Sequence, residues 1–63
     1  MEEVQKIIKD ILFFINNKKI DKKEICKNLN LTYPRLARIL KDGGKAIDLF
    51  ELHSYCKNYD INK

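Results

Sequence analysis

The sequence predicts an all-α domain of four helices, five at most, and three observations carry that prediction. Apolar residues recur at helical spacing in four separate stretches, from Val4 to Ile15, Ile25 to Leu29, Leu36 to Leu40 and Leu49 to Cys56. Between them fall residues that start and stop helices: Asp21, Thr32 with Pro34, and Gly43-Gly44. Nothing in the pattern reads as a strand. The 63 residues form one domain, 1–63, without repeats, linkers or low-complexity segments. A chain this short buries only about 60% of its unfolded surface, so its core is marginal and a partner subunit would help it.

The first helix runs from Glu3 to about Asn16. Val4, Ile7, Ile8, Ile11, Leu12, Phe14 and Ile15 give it one wide apolar face, and Glu2 and Glu3 suit its positive N-terminal end. Phe13 interrupts that pattern. Leu12 and Phe13 point partly away from the face and are either absorbed by an irregular core or left as a dimer surface. Asn16 to Lys19 is then a polar turn.

Helix two starts near Lys22. Asp21 can cap its free amides, Glu24 can reach back as a capping box, and Ile20 can pack on Ile25 as a hydrophobic staple. The helix should end near Asn28, with Leu29-Asn30-Leu31 as the turn. Thr32 is the expected cap of helix three, with Pro34 in the first turn, where a missing amide is harmless. Because a residue before proline avoids helical angles, Tyr33 is the alternative cap. Gly43 ends this helix after Lys41-Asp42. A short loop, Gly43-Gly44-Lys45, leads to helix four, from about Ala46 to Asn58, with Leu49, Leu52 and Cys56 inward.

Within Lys22 to Lys41, the apolar residues Ile25, Leu29, Leu31, Leu36 and Ile39 lie where two crossed helices would meet, with small Cys26 at their closest approach. That is a helix-turn-helix pattern, although it also fits a helical hairpin with no role on DNA. Position by position it resembles the helix-turn-helix of the Cro and repressor (Xre-like) family of phage and bacterial transcription regulators, over roughly Ile20 to Cys56. It departs at Asn30, where that family usually has glycine. Asparagine tolerates a left-handed backbone, at a cost of ~0.5 to 1 kcal/mol. The family often adds a fifth helix for dimerisation, and Tyr59 to Lys63 is too short for one. The resemblance implies a small Cro-like repressor of transcription. Tyr33, Pro34, Ala37 and Arg38 would take the base-facing positions, and Thr32 and Lys22 phosphate-facing ones.

Charge adds an independent argument for a polyanionic partner. The net charge is +4, yet Lys18 to Lys45 holds nine basic residues against Asp21, Glu24 and Asp42, a local +6, while both flanks are slightly acidic. With Leu36, Ile39 and Leu40 inward, the outer face of helix three carries Tyr33, Pro34, Ala37, Arg38 and Lys41, with Arg35 at its edge. Both arginines of the chain are here, and every other basic residue is lysine. An arginine fork matches guanine O6 and N7 or a phosphate, whereas lysine acts as a point charge. Direct reading of bases would rest on Arg38 and Arg35, with apolar contact from Tyr33, Pro34 or Ala37 to thymine methyls. Lys22, Lys23, Lys41 and Lys45 would hold phosphates, helped by the amides where helix two begins.

Other functions find little support in the residues. The longest apolar run, Ile11 to Ile15, is far short of a membrane span, and Met1-Glu2-Glu3 is unlike a signal peptide, so the chain is expected in the cytoplasm. Cys26 and Cys56 lie thirty residues apart beside a single histidine, His53, which suggests buried thiols rather than a zinc site or a disulfide. No nucleophile and base, carboxylate pair or glycine-rich phosphate loop indicates an enzyme, a cofactor or a small-molecule substrate. Phe50, His53, Tyr55 and Tyr59 sit on a mildly acidic helix and are expected as core or protein contacts rather than as platforms for unpaired bases. The expected function is sequence-specific binding of double-stranded DNA as a homodimer. The rival is a small helical module, such as an antirepressor or antitoxin, that binds another regulator through helix one or helix four.

Overall fold

The computed structural model describes residues 2–59. The expectations that rest on Met1 and on the chain end from 60 to 63 lie outside the described residues. Four helices follow one another: α1 (Glu2–Lys18), α2 (Lys22–Leu29), α3 (Tyr33–Asp42) and α4 (Ala46–Lys57). No strand occurs among the described residues. The protein is a compact all-α domain of 34 × 22 × 16 Å.

α1 packs against α4 and α3, and α2 closes the far side by packing on those same two helices. Their shared core is Ile8, Ile11 and Ile15 of α1, Ile20 of the first link, Ile25 of α2, Leu36 and Ile39 of α3, and Leu49, Leu52 and Cys56 of α4. Each such side chain withdrawn from water contributes roughly 1.5 to 3 kcal/mol, and this offsets the cost of ordering so short a chain. Cys26 is only half-buried, while Cys56 is fully buried.

α1 runs two residues further at its C-terminal end than its polarity suggests. Asn17 stays helical and donates to the Phe13 carbonyl, and the helix stops only where Lys19 turns left-handed at φ 54°. The Ile20 amide then closes on the Ile15 carbonyl at 3.0 Å, which delivers Ile20 to the core. Leu12 and Phe13 are both left exposed, Phe13 at 59%.

The two following links keep to local chemistry, with one correction. Asp21 caps α2 by accepting from the Lys23 amide at 2.9 Å. Glu24 makes no capping box; its carboxylate accepts instead from the Tyr59 hydroxyl at 3.2 Å, because α4 delivers that phenol beside α2. Desolvation, together with that carboxylate, pushes the Tyr59 phenol above its ordinary pKa. Asn30 ends α2 in the left-handed region, at φ 57° and ψ 46°. Thr32, extended at φ −83° and ψ 158°, caps α3, so Tyr33 is already its first helical residue.

Gly43 has two reasons to lack a side chain. Its φ is 94°, and a Cβ there would stand 2.6 Å from Val4 Cγ1 of α1. The close approach of this loop to α1 is what sets α3 and α4 on their common support. At its other end, α4 is tied down by Lys18, whose ammonium donates to the carbonyls of Cys56, Lys57 and Tyr59 at 2.8, 2.9 and 3.1 Å and lies over the Phe14 ring.

Candidate nucleic-acid interface

α3 is held to the body by one stripe and presents the other. Leu36 and Ile39 are buried and Leu40 half-buried, while Tyr33, Pro34, Ala37, Arg38 and Lys41 are all exposed. This partition follows from the sequence: positions 36, 39 and 40 are the apolar face of a short helix, and its first turn is fixed by the Thr32 Oγ1 accepting from the Arg35 amide at 3.3 Å. The Thr32 hydroxyl proton is still free to donate. Tyr33 shows half its surface next to Pro34, which makes the N-terminal end of the helix broad and apolar.

Arg35 is differently placed from Arg38. Its Nε donates to Asp48 Oδ2 at 3.0 Å and its Nη2 to Asp48 Oδ1 at 3.1 Å, so the guanidinium grips a carboxylate in the first turn of α4. Asp48 is buried, its side chain only 8% exposed, and Arg35 remains about half exposed on its outer edge. Two of the donors expected at the edge of a base-reading surface are therefore engaged within the chain. The pair ties the first turn of α3 to the first turn of α4. Arg38 has no carboxylate partner among the described residues, which leaves its whole fork available. The two arginines flank an open cleft of about 730 Å³ between α3 and the start of α4, with Lys45 and Asp42 on its rim.

Lys22, Lys23, Lys41 and Lys45 are exposed, and none pairs with a carboxylate among the described residues. Lys22 and Lys23 begin α2 and Lys45 precedes α4, so each stands near a positive helix end rather than a negative one. The amides of α2 are less open to an anion than the sequence suggests, because Asp21 accepts from that of Lys23 and adds its own negative charge. Lys18, counted in the basic segment, is engaged at the end of α4.

No family model, curated protein or solved structure matches the chain. What can be said of the site comes from its own residues. The aromatic residues of α4 and just beyond it are mostly in use: Tyr55 accepts from Asn28 at 2.9 Å, Tyr59 lies tilted against its ring and donates to Glu24, and His53 meets Asp10 of α1 at 2.6 Å. Phe50 stands apart, exposed at 58%. Two residues that fix α4, Asp48 against α3 and Lys18 at its far end, escape a sequence reading. Thirteen residues separate Arg35 from Asp48 and thirty-eight separate Lys18 from Cys56, and no local periodicity signals pairings at such distances. The one available hint at Asp48 is an acidic residue on an otherwise apolar side of α4.

Proposed function

We propose that this chain is a sequence-specific regulator of transcription that binds double-stranded DNA, a small Cro-like repressor of the helix-turn-helix type acting as a homodimer. One observation carries the reading: α3 turns Tyr33, Pro34, Ala37, Arg38 and Lys41 outward as one uncovered face, with Lys45 beside Arg38 on the rim of the adjoining cleft and Lys22 and Lys23 exposed at the start of α2. A single helix of that width fits a major groove. Arg38, with both edges of its fork unengaged, is the base reader, and contact of Tyr33, Pro34 and Ala37 with thymine methyls supplements it. The lysines and Thr32 hold phosphates, and Arg35 contributes only its outer edge because Asp48 grips the rest.

Selection of binding sites from random duplex, followed by titration of the winner across a salt series, tests this. A regulator of this kind enriches a motif and loses affinity steeply with salt, because each phosphate contact releases a counterion. A specific observation also favours the rival reading, a module that binds another regulator: Phe13, Ile47 and Phe50 are exposed on α1 and α4. The same titration separates the two, since a protein-binding module shows no motif and no steep salt dependence on DNA.

A further inference from the structure

α1 and α4 lie side by side and run in the same direction. Val4 and Leu49 both lie against Gly43 at one end, Asp10 meets His53 midway, and Lys18 meets the carbonyls of Cys56 and Lys57 at the other. Their outer surface carries two uncovered apolar groups. On α4, Ile47 and Phe50 are exposed at 66% and 58%, beside the exposed carboxylate of Glu51. On α1, Phe13 is exposed at 59% and shares a crease with Lys9. Ile7 lines both this crease and the one beneath Phe50, so Phe13 and Phe50 border a common residue across the two helices. On its outer side α4 carries Ile47 and Phe50 among Glu51, Ser54 and Lys57, all exposed.

The two groups lie on opposite helices and on opposite sides of the Asp10–His53 bond: Ile47, Phe50 and Glu51 before His53 on α4, Phe13 after Asp10 on α1. One is basic at its margin and the other acidic. A face built in this way is complementary to itself when turned through a two-fold axis near that bond. We infer that the α1–α4 face is a self-association surface for a second copy of this chain, with Phe13 of each copy seated on Ile47 and Phe50 of the other and Lys9 of each reaching the other's Glu51. The charge arrangement is the reason for choosing a second copy over a foreign partner, since the chain itself supplies both halves of the match. The inference rests on the homodimer part of the proposed function and is independent of its DNA part.

Sedimentation equilibrium of the whole chain at low salt, without DNA, tests it. The wild type should dimerise, and Phe13→Ser or Phe50→Ser should each weaken the dimer at least about tenfold. Because both side chains are exposed, the thermal melt of each variant's monomer should match the wild type, which rules out misfolding as the cause. Lys9→Glu and Glu51→Lys should each be monomeric alone. Mixed together they should associate, because the heterodimer restores both ion pairs, one in the wild-type sense and one with its signs exchanged. A wild type that stays monomeric at ~1 mM, a dimer indifferent to both serine variants, or a mixture no tighter than its components would overturn the pairing. None of these results touches the duplex titration above, so failure of this surface and failure of the DNA reading are told apart.

Discussion

Asn30 holds a left-handed backbone in the turn between α2 and α3, at φ 57°, where a side chain is a liability and where its own is exposed. Asn30→Gly should therefore raise stability by a few tenths to ~1 kcal/mol, and Asn30→Val should lower it by more, because a β-branched residue fits this region worst. Thermal melts of the three chains that coincide would refute this. Cys56 offers a pH-dependent check on the core. Burial pushes its thiol up to about 11 from an ordinary value of 9.0, with the nearby Lys18 charge pulling weakly the other way. A raised folded value means that the neutral thiol is favoured in the native state. Its contribution is complete below about pH 9 and is lost as pH climbs through 11, at most ~3 kcal/mol in all. Denaturant midpoints taken from pH 8 to 11 should fall less steeply for Cys56→Ala than for the wild type, although that variant starts less stable.

At the scale of whole helices, the ends matter more than the middles. α4 has no side-chain cap at its N-terminus, where Lys45 stands, and its C-terminal carbonyls are satisfied by Lys18 of α1. Lys18→Met keeps the aliphatic stem and the contact with Phe14 while removing the ammonium, so it isolates the capping role. It should cost ~1 to 2 kcal/mol and loosen the last turn of α4. Hydrogen exchange of the amides near Cys56 and Lys57 should quicken in step. A variant as stable as the wild type, with unchanged exchange, would mean that water replaces the ammonium without loss.

For the molecule as a whole, the proposed function divides the basic residues by role. Arg38→Ala should cost ~1 to 3 kcal/mol on the best site and flatten preference at one base pair per half-site, while hardly affecting random duplex. Lys22→Ala should weaken both alike and lower the salt slope by about one per subunit. Competition between specific and scrambled duplex across a salt series distinguishes them. If the two variants behave identically there, α3 does not read bases in the way proposed.

The sequence by itself determined the order and type of the helices, the cap Asp21, the α3 start to within one residue of Thr32, the left-handed turn at Asn30, and the inward stripe of Leu36, Ile39, Leu49 and Leu52. These depend on interactions within a few residues, and spacing and side-chain chemistry report them directly. The exposure of Tyr33, Ala37 and Arg38 was legible for the same reason, as the complement of the buried stripe on one short helix. Only the tertiary structure decided that Arg35 grips Asp48, that Lys18 closes α4, that Glu24 turns to Tyr59, and that Gly43 lies against Val4. Each of these joins residues distant in the chain, and charge or polarity alone does not tell whether a lysine or an arginine faces solvent or its own fold. Packing sets the distances over which such groups find partners, and here it divided two arginines of identical chemistry into one committed to the domain and one left free.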